Sequence, residues 1–295
     1  MDETAKVRGL LNLRHPDWCL GEVARVGSGM GCTVYRCATA RLGPIAVRVP
    51  RVRWFETDND EDRVDARDML WQEAKIAEHM ARFGVPVPQV YGIEFSDEID
   101  LHITGFVEGD GAPVRGEYLG ELAARIHSAP PFEGPLVCQP SDDTDLVVVT
   151  RLHKRAAILS RRTGTPIVLP GPDDMLARLR GHMLRHCMLH MDLRPANVIS
   201  RDGKPVALVD WDNALRGPAA LEIARVSEND SFIVMEDFMC GYERVRKWDQ
   251  VPAEVELIYR LDTAVMLAVV FVSEAPDPVQ SKRYLDRVFS LSGQL

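Results

Sequence analysis

The stretch Leu189–Ser200, LHMDLRPANVIS, places His190, Asp192 and Asn197 at HxDxxxxN spacing between two apolar runs, with Pro195 bracing the turn. An Asp five residues before an Asn on such a turn can face a hydroxyl while the Asn amide oxygen faces a metal ion, and phosphoryl transfer needs that division of labour. A metal carboxylate should follow. After Gly203 the run PVALVDWDNA reads as a short buried strand ending at Asp210. A β-hairpin over this distance would bring that carboxylate back beside Asn197.

Upstream, from Gly21 to Val49, short β-prone runs alternate with glycine: EVARV, GSGMG, CTVYRC, a turn at Leu42–Pro44, then IAVRV. A turn without side chains exposes backbone N–H groups that can wrap phosphate oxygens, which makes Gly27, Ser28, Gly29 and Gly31 candidates. Taken alone, the same glycines are equally a tight turn. Arg48 stands among apolar residues of the third run and needs an anion or a ligand there. Glu73 is its obvious partner, near the centre of a helical pattern from Ala66 to Phe83 whose apolar face is Leu70, Ala74 and Ala77. The alternatives are a snorkelling edge arginine and a solvated helix carboxylate.

The runs QVYGIEF and IDLHITGFV complete a five-stranded antiparallel sheet with one main helix, and Glu3–Leu13 reads as a further outer helix. FVEGDGAP, Phe106–Pro113, is a natural hinge, so the expected lobes are 1–107 and 108–295. Beyond it the patterns are mainly helical: GEYLGELAARIHS, DLVVVTRLHKRAAILSRR, DDMLARLRGHML, LEIARV, a helix running to Val272, and a last one from Pro278 to Leu291. The acidic block Glu56–Asp68 reads as a mobile, charged connection.

Composition narrows the class. With 295 residues and 46% apolar content the chain can bury a core in each lobe. The longest apolar run, Ala264–Val272, has nine residues, about half of what a membrane span needs, and the first residues carry charge where a signal peptide needs an apolar core. A cytoplasmic protein with no membrane partner is expected. Six scattered cysteines without a CxxC pair point to reduced thiols. The net charge of −9 argues against a nucleic-acid partner. His182, His186 and His190 lie at i, i+4, i+8, but the β-prone CML between the last two argues against one metal-binding helical face.

HMDLRPAN followed by VDWDNALRGPAALEIAR, behind a GSGMG hairpin and an IAVRVPR strand, resembles the aminoglycoside phosphotransferase and choline kinase-like superfamily over residues 20 to 225. The resemblance implies an α+β, bilobal protein-kinase-like fold: an N-terminal, nucleotide-binding antiparallel sheet lobe, and a mostly helical C-terminal catalytic and substrate-binding lobe. It implies a Mg-dependent phosphotransferase moving the γ-phosphoryl group of ATP or GTP to an alcohol group. Asp192 would be the catalytic base, and Asn197 with Asp210 would hold Mg2+. Arg48 would touch the α- and β-phosphates with Glu73 orienting it, and His190 would brace the loop. Phe106 and Glu108 fall at the hinge that reads the base.

The chain departs from the family pattern at Cys32, at Arg48 in place of lysine, at Met191 and Arg194 where Gly and His are common, and at Gly217–Ala219 and Glu222–Ala224. Only about eight residues separate Asp210 from the next helix, too few for a peptide-docking segment, so the implied partner is a small-molecule hydroxyl acceptor, with the chain a monomer or dimer. Asp212, Glu222, Glu228, Asp230, Glu236 and Asp237 are candidate acceptor carboxylates. An acidic wall would suit a cationic antibiotic such as an aminoglycoside. The alternatives are a metabolic kinase of choline, sugar or amino-acid type, and a nucleotide-binding pseudoenzyme scaffold.

Overall fold

The computed structural model describes residues 2–29, 31–59, 63–229 and 233–295. The chain divides into two compact units. Met1–Phe55, Arg63–Val114 and Pro195–Asp212 form the first; Glu56–Asp62, Arg115–Arg194 and Asn213–Leu295 form the second.

The first unit opens with α1 (Glu3–Arg14), β1 (Leu20–Ser28), β2 (Cys32–Thr39), β3 (Gly43–Pro50), β4 (Trp54–Phe55), β5 (Val64–Asp65), α2 (Ala66–Ala81), β6 (Val90–Glu94) and β7 (Leu101–Gly105). Five of these strands make one sheet in the order β1-β2-β3-β7-β6, antiparallel throughout. Because side chains alternate along a strand, β3 sends Ile45, Val47 and Val49 into a core with Val7, Leu10 and Leu11 of α1. The same alternation turns Arg48 to the opposite face, with His102 as its cross-strand neighbour on β7. The helix α2 buries Leu70, Ala74, Ile76, Ala77 and Met80, and Glu73 is buried with them.

The block Glu56–Asp68 is not the free connection that its charge suggests. Val64–Asp65 pairs with Trp54–Phe55, and the Asp65 carboxylate caps α2 by accepting the Arg67 N–H at 2.8 Å, satisfying one of the unpaired amides of the first helical turn. Asp60–Asp62 lie outside the described residues.

The chain continues with α3 (Gly116–Ser128), α4 (Thr144–Thr163), α5 (Pro172–Arg180) and β8 (His186–Leu189) in the second unit. It crosses the first unit as the hairpin β9 (Val198–Arg201) and β10 (Lys204–Leu208). It then returns to the second with β11 (Leu215–Pro218), α6 (Ala219–Glu228), α7 (Met235–Val245), α8 (Ala253–Val269) and α9 (Pro278–Ser292). The core of this helical unit gathers Val148 and Leu152 of α4, Leu221 and Ala224 of α6, Ile258, Leu261 and Val265 of α8, and Val288 of α9. A five-residue π-helical turn, Val270–Glu274, follows α8, so the helix expected to reach Val272 stops at Val269.

Pairing of β8 with β11 sets Leu189 opposite Leu215 and anchors the residue before His190. His182 follows α5, His186 opens β8 and His190 follows it, so the three share no helical face. All six cysteines are unpaired thiols. Among the described residues, no helix is long and apolar enough to cross a membrane.

Candidate functional site

In the first unit, the hairpin β9–β10 turns at Asp202 and Gly203, both left-handed with φ of 53° and 72°, the geometry that suits an Asp-Gly pair in a two-residue hairpin. Lys204 lies opposite Arg201, and the Val209 N–H bonds the Asn197 carbonyl at 3.0 Å. Asn197 and the residues around Asp210 are thereby brought together, as the spacing of the two motifs requires.

Asp210 itself has φ of 72°, a left-handed conformation that a short polar side chain tolerates at a cost of about 1 kcal/mol. The helix α2 holds it there. Gln72 Nε2 donates to the carbonyls of Trp211 (2.7 Å) and Asp212 (3.0 Å), and the Asp210 N–H donates to Glu73 Oε1 at 3.3 Å.

Above this turn Arg48 meets three carboxylates. It pairs closely with Glu73, and its Nη2 lies 3.3 Å from both Asp210 Oδ1 and Asp212 Oδ2. Burial alone would raise the Glu73 carboxyl, but the Arg48 charge and then His102, 3.3 Å away, hold it well below the usual carboxylate range. Asp212 goes the other way. Burial and the neighbouring Asp210 and Glu73 charges push its carboxyl well up despite Arg48. Asp212 therefore belongs to the arginine cluster of the first unit. The DWD spacing was the signal for this: two carboxylates two residues apart across a single 3-10 turn, Trp211–Asn213, can converge on one cation.

At the glycine turn Ser28 pairs with Thr33, and the Gly29 N–H bonds the Cys32 carbonyl at 2.9 Å. A Cβ at Gly31 would stand 3.2 Å from the Phe55 ring, whereas at Gly27 and Gly29 no internal atom comes closer than 3.7 Å. Packing explains Gly31; among the described residues no close contact demands the other two. Met30 lies outside the described residues.

The Phe106 N–H bonds the Pro44 carbonyl at 3.0 Å, and Arg36 sits 5.3 Å over the Phe106 ring. The Glu108 carbonyl accepts Arg201 at 2.7 Å. The chain here lies so close to β9 that a Cβ on Gly109 would be 2.9 Å from the Ser200 carbonyl. The segment after β7 is thus clasped to the 198–208 hairpin.

In the second unit His190 is fully buried, and its Nδ1 accepts the Asp192 N–H at 3.2 Å, which puts its proton on Nε2. The Asp192 carboxylate accepts Arg194 Nε at 3.0 Å. Met191 between them is left-handed, with φ of 62°, which accounts physically for the glycine common at this position.

Glu222 is 1% exposed. One carboxylate oxygen accepts the Met191 N–H, and the other accepts His127 Nε2, whose Nδ1 meets the Tyr242 hydroxyl at 3.0 Å. Burial raises this carboxyl, and the His127 hydrogen bond and charge, His190 and the Met191 N–H more than offset it, so the group sits below its ordinary value. Nothing in the sequence pattern flagged His127 or Tyr242, which come from α3 and α7.

Glu228 is also buried, bonded by Arg260 Nε at 2.5 Å and by Arg287 at 2.6 and 2.7 Å. Asp230 lies outside the described residues, while Glu236 and Asp237 are exposed in the first turn of α7.

Among the described residues no cluster of three or more His, Cys, Asp or Glu side chains is set to hold a metal. The chemistry around Asp210 nonetheless fits Mg2+. An amide oxygen and a carboxylate are hard donors of the kind that bind it together with water and phosphate oxygens. In addition, the Glu73 and Asp210 carboxylates share one guanidinium, an excess of negative charge that a divalent cation would balance.

Among curated proteins, a sequence search finds no match. Solved structures do match over nearly the whole chain. A candidate fructosamine-3-kinase from Haemophilus somnus 129PT superposes with a TM-score of 0.68 at 15% identity, covering 97% of this chain and 96% of the other. A thermostable mutant of aminoglycoside phosphotransferase APH(4)-Ia in ternary complex with AMP-PNP and hygromycin B gives 0.67 at 13% identity, covering 97% of each. Choline kinase LicA from Streptococcus pneumoniae gives 0.63 at 12%, covering 99% of each. These likenesses establish a kinase-like fold with its five-stranded antiparallel sheet in the N-terminal part and helices in the C-terminal part. The sequence model of the phosphotransferase enzyme family (APH) matches residues 22–253, well over half of the chain, and the chain belongs to that family.

Proposed function

We propose that this protein is a small-molecule kinase that moves the γ-phosphoryl group of ATP or GTP to an acceptor hydroxyl. The observation that carries the proposal is the cluster of Arg48, Glu73 and Asp210 in the first unit, on the same chain as an HxDxxxxN loop and within a phosphotransferase family. Asp192 takes the acceptor proton as the oxygen attacks. The new O–P bond forms as the bond from the γ-phosphorus to the β–γ bridging oxygen breaks, and the nucleoside diphosphate leaves with that electron pair. Bound Mg2+ supplies charge neutralisation at the phosphates, with Asn197 and Asp210 as its protein ligands. Arg48, oriented by Glu73, serves the α- and β-phosphates, and the glycine turn lets the backbone approach them without side-chain conflict. His190 orients the loop without exchanging a proton with the acceptor.

ATP is the favoured donor, because a fold relative of the same reaction class binds AMP-PNP. A polycationic aminoglycoside acceptor loses the support it had from the carboxylate count, since Glu222 and Glu228 are turned inward. A metabolic small molecule suits these residues better. The test is Mg2+-dependent phosphate transfer by the purified chain across a panel of hydroxyl compounds with both nucleotides. Nucleotide binding without turnover on any of them would favour a scaffold.

A further inference from the structure

Leu101 and Ile103 of β7 pack into the apolar core with α1, so the residue between them, His102, turns to the opposite face of the sheet. There it pairs across the strands with Arg48 of β3 and Ile93 of β6, beside Glu73 of α2. The imidazole is 2% exposed, and neither ring nitrogen completes a hydrogen bond among the described residues. Burying a polar ring in that state is costly, and an aliphatic side chain would avoid the cost.

What the ring does have is a position. Its Nδ1 lies 3.3 Å from Glu73 Oε2, the same oxygen that pairs with Arg48 Nη1. The other oxygen, Oε1, is 3.3 Å from the Asp210 nitrogen, whose N–H it accepts. Glu73 thus has one close partner, Arg48, and one long backbone bond. Arg48 is also the group that must change partners, because its Nη2 is divided between Asp210 and Asp212 at 3.3 Å each and has to leave them to reach a phosphate. A carboxylate held by the arginine alone would follow it, whereas a donor on β7 stays with the sheet. A carboxylate facing Nδ1 draws the ring proton to that nitrogen and makes the imidazole such a donor. After Arg48, His102 is the second group holding the Glu73 carboxyl below the usual carboxylate range.

We infer that His102 is a positioning residue for the phosphate-binding arginine: its Nδ1–H fixes Glu73, and Glu73 keeps Arg48 aimed while the guanidinium exchanges aspartates for nucleotide phosphates. This rests on Arg48 serving the α- and β-phosphates.

The test measures, on the whole chain with Mg2+, the affinity for AMP-PNP or GMP-PNP, whichever the native protein binds more tightly. His102→Leu removes the donor and keeps apolar bulk, and affinity should fall on the order of tenfold. His102→Asn puts an amide donor where Nδ1 stood and should recover most of that loss. In an Arg48→Gln background, His102→Leu should cost little more, since the histidine acts through the arginine.

Unchanged affinity in His102→Leu overturns the inference. So does a loss that His102→Asn shares in full, or one that persists undiminished in the Arg48→Gln background, because the ring would then only fill space or act elsewhere. These results leave the phosphotransferase proposal standing. Undiminished affinity in Arg48→Gln removes the arginine from the phosphates, and this inference with it. A native chain that binds neither nucleotide contradicts both proposals. Where His102→Leu fails to fold, the native chain labelled with 15N-histidine decides: the His102 resonances, identified by their loss in His102→Asn, should show a proton on Nδ1, and an Nδ1 without one overturns the inference.

Discussion

The Glu222 carboxylate receives the backbone N–H of Met191 at 2.5 Å, so α6 holds the peptide that precedes Asp192. Met191 is strained in its left-handed conformation and does not select that geometry by itself. The buried Glu222–His127–Tyr242 chain supplies the restraint.

Removing this restraint should be expensive. Glu222→Ala leaves His127 and the Met191 amide without their acceptor in a dry interior and should destabilise the protein by about 3–5 kcal/mol. Glu222→Gln should cost roughly 1–3 kcal/mol. Urea titrations of both variants measure this, and near-native stability of Glu222→Ala would contradict the bracing role.

The same group makes a pH prediction. Its folded carboxyl lies below its ordinary value of 4.5, so the unfolded chain binds the extra proton first as pH falls. The stability it contributes is present above about pH 4.5 and is lost as pH drops through the lower folded value. The midpoint of unfolding should therefore fall on acidification below that point, and Glu222→Gln should fall less steeply than the native protein.

Met191→Gly sets two effects against each other. Glycine would relieve about 1 kcal/mol of left-handed strain, but Met191 is 1% exposed, and deleting a buried side chain of that size costs about 2–5 kcal/mol. A net loss of stability is expected, and chemical denaturation of the variant measures it. A gain would mean that the backbone strain outweighs the packing.

Asp212→Asn should stabilise the metal-free protein at neutral pH, by on the order of 1 kcal/mol, because burial and the Asp210 and Glu73 charges disfavour the ionised Asp212 carboxylate that the amide replaces. With Mg2+ and nucleotide present the gain should shrink. Thermal unfolding with and without Mg2+ gives both numbers, and destabilisation of the metal-free form would show that Asp212 is a needed partner of Arg48.

Glu228→Gln should weaken the packing of α6, α8 and α9 by about 1–2 kcal/mol, since two arginines lose their shared carboxylate. Steady-state kinetics should find the acceptor KM unchanged in this variant. A large rise in KM with stability intact would return Glu228 to the acceptor site.

The fold and the placement of the site motifs were legible because they rest on local rules. The five-stranded sheet follows from glycine-punctuated β-prone runs, and the return of Asp210 beside Asn197 follows from the Asp202-Gly203 turn. Pairing of Arg48 with Glu73 was legible because each was an unlikely charge on a buried face. What stayed hidden depends on tertiary burial. Glu222 and Glu228 look like solvated helix carboxylates in sequence, and only their exposure and partners on α3, α8 and α9 reveal otherwise.

The most direct measurement of the central claim is phosphate transfer from γ-labelled ATP with Mg2+ by the native chain and by Asp192→Asn, with nucleotide affinity measured on both. The native chain should label a small hydroxyl compound. Asp192→Asn should bind nucleotide with similar affinity and lose transfer by a factor on the order of a hundred or more. Undiminished transfer by Asp192→Asn would contradict the assignment of Asp192 as base, and with it the reaction built around the loop Leu189–Ser200.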